Sequence, residues 1–107
     1  MKFSFLLLIA YCLLPIFSVA QTKAEVRGVW VATVENIDWP SRGNYNSDSQ
    51  KVEFIRLLDM HQRNGMNAMI VQIRHVTDAF YPSQFEPWSE YLTGKQGQPP
   101  MPYYDPL

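Results

Sequence analysis

The sequence predicts an α/β fold built on a single β-α-β unit. Three stretches carry that expectation. Residues 25–34 (EVRGVWVATV) and 66–73 (MNAMIVQI) are apolar runs, and between them residues 47–64 repeat apolar side chains at helical spacing. Runs that are apolar on both faces, rather than alternating, suit strands covered on both sides, as in a parallel sheet. Strand, helix, strand within fifty residues then reads as one right-handed crossover with parallel strands.

In the first run, Val29, Val31 and Thr33 share one face and Trp30, Ala32 and Val34 the other. A strand buried on both faces puts Trp30 in the core. The segment that follows, ENIDWPSRGNYN, has the Asn, Asp, Pro and Gly content of a loop. Ser47, Asp48 or Ser49 is then placed to cap the helix. Val52, Ile55, Leu58 and Gln62, flanked by Phe54, Leu57 and His61, form its wide apolar stripe. Gly65 supplies the stop, because glycine takes the left-handed conformation that follows a helix end. Residues 80–106 hold seven aromatics and six prolines and read as one long loop, of a length that in compact domains is usually functional.

The first twenty residues are expected to be a secretory signal peptide. Met1-Lys2 is a short positive start, residues 3–19 are almost wholly apolar, and Ser18-Val19-Ala20 puts small residues before Gln21. The apolar run is short for a membrane span and carries Pro15, so no stable membrane insertion is expected once the signal is removed. Export places the product in the periplasm or outside the cell. The sole cysteine, Cys12, falls inside the signal, so residues 21–107 offer neither a disulfide nor a Cys-based zinc site. The formal charge of −1 supplies no basic surface for displacing phosphate counterions, which excludes nucleic acid as a partner. No HExxH, glycine-rich phosphate loop or GxSxG occurs, and no ligand set implies a metal or cofactor.

In parallel α/β folds, ligands meet the C-terminal ends of the strands. The first end offers Glu35, Asn36, Asp38 and Trp39, and the second Gln72, Arg74, His75 and Asp78. Arg74 presents a fork of donors that grips a carboxylate or paired hydroxyls; the same fork also makes an internal salt bridge to Asp78, Glu35 or Asp38. Asp78 and Glu35 are candidates for a carboxylate pair in glycoside cleavage, against their commoner work as caps, turn formers and salt-bridge partners. His75 reads as a loop histidine facing solvent or a hydrogen-bond partner, and His61 as structural. Trp39 and Trp88, on loops, lean toward stacking on sugar C–H faces, although aromatics also anchor loops by burial.

The motifs RGVWVATV-x-NIDWP, Q-x-R-x-x-x-DA-x-YPS, PWS-x-YLTG-x-QG and the YDPL ending resemble the N-terminal part of the glycosyl-hydrolase-like 10 family of exported proteins. The likeness covers essentially all of residues 21–107. It implies the opening β-α-β portion of a TIM-barrel-like (β/α)8 glycosidase fold. It also implies hydrolysis of polysaccharide, including peptidoglycan glycan strands stripped of peptides in the cell wall, with Arg74, Asp78, Trp39, Gln72 and Trp88 toward substrate. Family members usually carry a proline directly after the arginine and often a glycine before the aspartate, where this chain has His75 and Thr77.

A barrel of this type needs about 250 residues, so the chain reads as an incomplete, N-terminal fragment. A lone unit leaves sheet edges and helix stripe uncovered, and is expected to aggregate or stay molten. The competing reading is a non-catalytic module that binds glycan through its aromatic loops.

Overall fold

The computed structural model describes residues 24–107; the signal peptide read at residues 1–20 lies outside them. Two strands, β1 (Gly28–Val31) and β2 (Ala68–Val71), pair in parallel with Gly28 opposite Ala68 and Val31 opposite Val71. The helix α1 (Ser47–Arg63) joins them, and a one-turn helix α2 (Glu90–Thr93) follows within the long C-terminal segment. The small parallel α/β unit is therefore as expected.

Both strands are shorter than their apolar runs. Beyond Val31 the chain leaves the ladder: Ala32 N–H donates to Asp38 Oδ2 at 2.7 Å, and Asp38 N–H returns to the Ala32 carbonyl at 2.9 Å. Those two bonds close a turn containing the 3-10 segment Val34–Asn36. At the other end Asn67 takes over, accepting from Arg27 N at 2.7 Å and donating through Nδ2 to the Glu25 carbonyl.

The cap of α1 is Asn46, not one of the three residues after it. Its Oδ1 accepts from Ser49 N at 3.0 Å. Ser47, Asp48 and Ser49 fall inside the first turn, where their own amides are the groups that need satisfying. The C-terminus matches expectation. Gly65 has φ +82°, its N–H bonds the Gln62 carbonyl, and Met66 N–H bonds the His61 carbonyl at 3.0 Å. This paired arrangement satisfies carbonyls left open at a helix end.

The core forms on one side of the sheet. Val31, Trp39, Phe80 and Leu92 are buried, with Phe54 and Leu57 of α1 and Met69 and Val71 of β2 packed against them. Strand alternation sends Trp30 and its partner Ile70 to the opposite face. There Trp30 is 58% exposed, so its expected core position is corrected. The predicted helical stripe also divides. Phe54 and Leu57 reach the sheet, while Val52, Ile55 and Leu58 remain exposed. Apolar surface is thus left open on the sheet face and the outer side of α1.

Residues 80–106 are not structureless. Arg74 and Ala79 form an antiparallel bridge, Ala79 and Trp88 a parallel one, and Asn46 and Met101 another. Ser89 caps α2, accepting from Tyr91 N at 3.2 Å, and Gly94 ends it at φ +83°.

Replacing Asn46 with Ala removes the cap bond, worth about 1 kcal/mol. Exchange at the Ser49 amide is expected to accelerate roughly fivefold, with a fall in far-UV helicity. Ser49→Ala is expected to leave both measurements unchanged.

Candidate functional site

The strand ends are joined by partly and fully buried side chains. Gln72, one residue past β2, turns its amide oxygen toward the other strand, where it accepts from Thr33 N and Val34 N, each at 3.2 Å. The Thr33 hydroxyl donates back to the Gln72 carbonyl at 2.7 Å. Gln72 thus replaces two rungs of the ladder where β1 bends away, and its oxygen is committed to backbone.

His75 continues this chain. Its Nδ1 lies 3.4 Å from Thr33 Oγ1 and its Nε2 lies 3.2 Å from Ser89 Oγ. The ring packs between Phe80 and Tyr91, at centroid distances of 5.4 and 5.2 Å. Because the Thr33 hydroxyl proton is spent on Gln72, Thr33 Oγ1 can only accept from the imidazole, which puts the ring proton on Nδ1. Ser89 Oγ accepts from Tyr91 N and retains its own proton to give to Nε2. The neutral Nδ1–H tautomer satisfies every one of these contacts. Burial disfavours the imidazolium and holds His75 below the usual histidine range, and the nearby Asp78 carboxylate only partly offsets that.

Asp78 is fully buried, with Oδ1 3.5 Å from His75 Nε2, and neither carboxylate oxygen has a hydrogen-bond partner among the described residues. In this conformation it reaches neither a glycan nor Arg74. Arg74 instead pairs with Glu86, a partner that sequence reading does not identify, and its side chain remains 60% exposed. The ion pair fixes one side of the guanidinium and leaves the rest facing solvent. Glu35 is exposed in the first turn after β1, at φ 54°. One of the two candidate carboxylates therefore reaches solvent, and the pair is not assembled by the described residues.

The tryptophans are placed by packing. Trp39, 5% exposed, folds back under α1, with its ring 5.0 Å from Phe54 and its Nε1 donating to the Gln50 carbonyl at 3.0 Å. The lean toward ligand contact is corrected there: the loop after β1 uses the indole as a core wedge. Trp88 is half-buried and meets Tyr103 edge to face.

His75 takes the hydrogen-bonded alternative of its sequence reading. One organising residue escapes that reading: Gln50, buried on α1, whose Nε2 donates to the carbonyls of Asn44 and Leu92 at 2.7 Å each, while its Oε1 accepts from Tyr104 Oη at 2.9 Å. Burial pushes the Tyr104 phenol up to about 12, so it stays a donor to Gln50. A signal for Gln50 does exist: it is a polar residue on the helix face that also carries Phe54 and Leu57.

Thr77 occupies the position at which the family resemblance expects glycine, and its φ is 58°. Left-handed backbone costs a residue with a Cβ about 1 kcal/mol. Thr77→Gly is therefore expected to slow amide exchange through residues 74–80, and Thr77→Val to accelerate it. For His75, nitrogen NMR is expected to show the Nδ1–H tautomer and a depressed titration midpoint. The unfolded chain takes up a proton near pH 6.5 while the folded chain resists it. The stabilising contribution is therefore complete above that pH, declines as pH falls below it, and levels off at the folded midpoint. His75→Gln is expected to flatten that dependence.

Among the described residues, no three His, Cys, Asp or Glu side chains are grouped to hold a metal ion, and no helix is long and apolar enough to cross a membrane. The family described as Glycosyl hydrolase-like 10 matches residues 25–107. The chain is 56% identical over 93 residues to Glycosyl hydrolase YngK of Bacillus subtilis (strain 168), covering 87% of this chain and 18% of that protein. It is 36% identical over 100 residues to Glycosyl hydrolase DigH of Escherichia coli (strain K12), covering 87% of this chain and 22% of DigH. The chain thus spans about a fifth of the length of these relatives. A match running from the residues before β1 to Leu107 establishes that the chain belongs to the glycosyl hydrolase-like 10 family.

Proposed function

We propose that this chain forms part of the substrate rim of an exported glycoside hydrolase of TIM-barrel-like fold. Its substrate is polysaccharide, of which peptide-free peptidoglycan strands are the favoured example. Kinship to proteins named glycosyl hydrolases supports the reaction class. The observation that carries the placement is Arg74. Its guanidinium stands at the C-terminal end of β2, paired on one side to Glu86 and open to solvent on the other. A pre-oriented fork of this kind donates to paired sugar hydroxyls at little further entropic cost.

In this reading the described residues hold sugar and do not cut it. Glycoside cleavage needs two carboxylates flanking the bond; of the candidate pair, Asp78 is sealed beside His75 and only Glu35 reaches solvent. The alternative of an aromatic binding module draws little support, because Trp39 is consumed by the core and Trp88 packs on Tyr103.

The test is binding and turnover with the same chain. Arg74→Ala is expected to weaken binding of peptide-free glycan strands about tenfold, the loss of one charge-assisted contact. Reducing-end assays on the unmodified chain are expected to show no cleavage. Undiminished binding by Arg74→Ala, or measurable turnover, contradicts the proposal.

A further inference from the structure

Beside the strand-end cluster, a second concavity opens between the turn after β1 and the C-terminal side of α2. It has a volume of about 340 Å³ and is lined by Glu35, Arg42, Tyr45, Glu90, Tyr91 and Gly94. The turn and α2 are tied directly, because Asn36 Nδ2 donates to the Pro40 carbonyl at 2.9 Å and to the Tyr91 carbonyl at 2.7 Å. The walls are therefore held by a cross-link and do not rest on loop packing alone.

Three features of this cleft point to a ligand. Tyr45 is 44% exposed, yet its ring is seated: a Cβ on Gly94 would lie 2.8 Å from it, so the absence of a side chain there lets the aromatic lie against the backbone. Glu35 and Glu90 are exposed, and neither carboxylate takes a hydrogen bond or ion pair from another described residue. Arg42 spends one contact, Nη2 to the Glu35 carbonyl at 3.3 Å, which steers the guanidinium into the cleft and leaves its other donors open. The combination is a flat apolar face ringed by acceptors and donors without partners. A pyranose presents the complement, a C–H face bounded by hydroxyls.

We infer that this cleft is a sugar subsite that takes an uncharged pyranose ring, with Tyr45 under the ring face and Glu35, Glu90 and Arg42 on its hydroxyls. Charge sets the selectivity. Two carboxylates against one guanidinium leave the cleft net negative, which repels a ring bearing its own carboxylate. The subsite therefore takes a neutral sugar ring and disfavours one that carries a carboxylate. This assignment rests on the glycan-binding reading above.

The experiment uses the full chain with two probes of matched length, a neutral chitooligosaccharide and an acidic oligogalacturonide, and measures binding by calorimetry. The neutral probe is expected to bind at least tenfold more tightly than the acidic one. Tyr45→Ala is expected to weaken the neutral probe about tenfold. The double variant Glu35→Gln with Glu90→Gln is expected to narrow the difference between probes. All three side chains are exposed, so these variants leave the buried contacts intact, which matching far-UV spectra would verify. Binding of the neutral probe that is indifferent to Tyr45→Ala, or equal affinity for both probes, overturns the subsite and leaves the glycan reading standing. Absence of binding to either probe overturns the glycan reading and the subsite together.

Discussion

Above the two strands, the structure depends on a single relay of partly buried hydrogen bonds between their C-terminal ends. The amide oxygen of Gln72 replaces the ladder at Thr33 and Val34, the Thr33 hydroxyl closes the loop on the Gln72 carbonyl, and His75 extends the chain to Ser89. Because the Thr33 hydroxyl proton is taken by the Gln72 carbonyl, the tautomer of the neutral imidazole follows from Thr33. Buried polar chains of this kind are costly when incomplete and rigid when complete. The same relay brings the turn after β1 and the cap of α2 to one place, where both loops present their remaining polar groups.

Packing and chemistry are divided along the molecule. Trp39, Phe80, Leu92 and Val31 fill the space beneath α1, and Gln50 crosses that apolar layer to hold Asn44, Leu92 and Tyr104. At the rim, Arg74 and Glu35 face solvent, whereas Asp78 is sealed with His75. A buried carboxylate without a hydrogen-bond partner is expensive. It lies beside His75, in the segment where the family resemblance leads one to expect proline and glycine.

The order of elements was legible because it rests on local signals: apolar runs at residues 25–34 and 66–73, helical spacing between them, and a glycine at the helix end. Polar tertiary contacts were not legible. Trp30 and Trp39 exchange their expected roles for a geometric reason. Alternation along β1 directs Trp30 away from α1, while the turn closed by Asp38 swings Trp39 beneath it. Arg74 was identified at the correct end of the sheet, but its partner lies twelve residues further on, at Glu86, and is set by the fold of the aromatic segment. Gln50 is marked only by its place on the helix face of Phe54 and Leu57, and the partners of both Gln50 and His75 come from distant parts of the chain.

Amide exchange in a Gln72→Met variant tests the relay most directly, since that change keeps side-chain length and removes the accepting oxygen. Protection is expected to fall together at Thr33 and Val34, which lose their acceptor, and at Tyr91, whose capping serine is reached through His75. Loss confined to Thr33 and Val34, with Tyr91 unchanged, would contradict the claim that one hydrogen-bond path holds both loops.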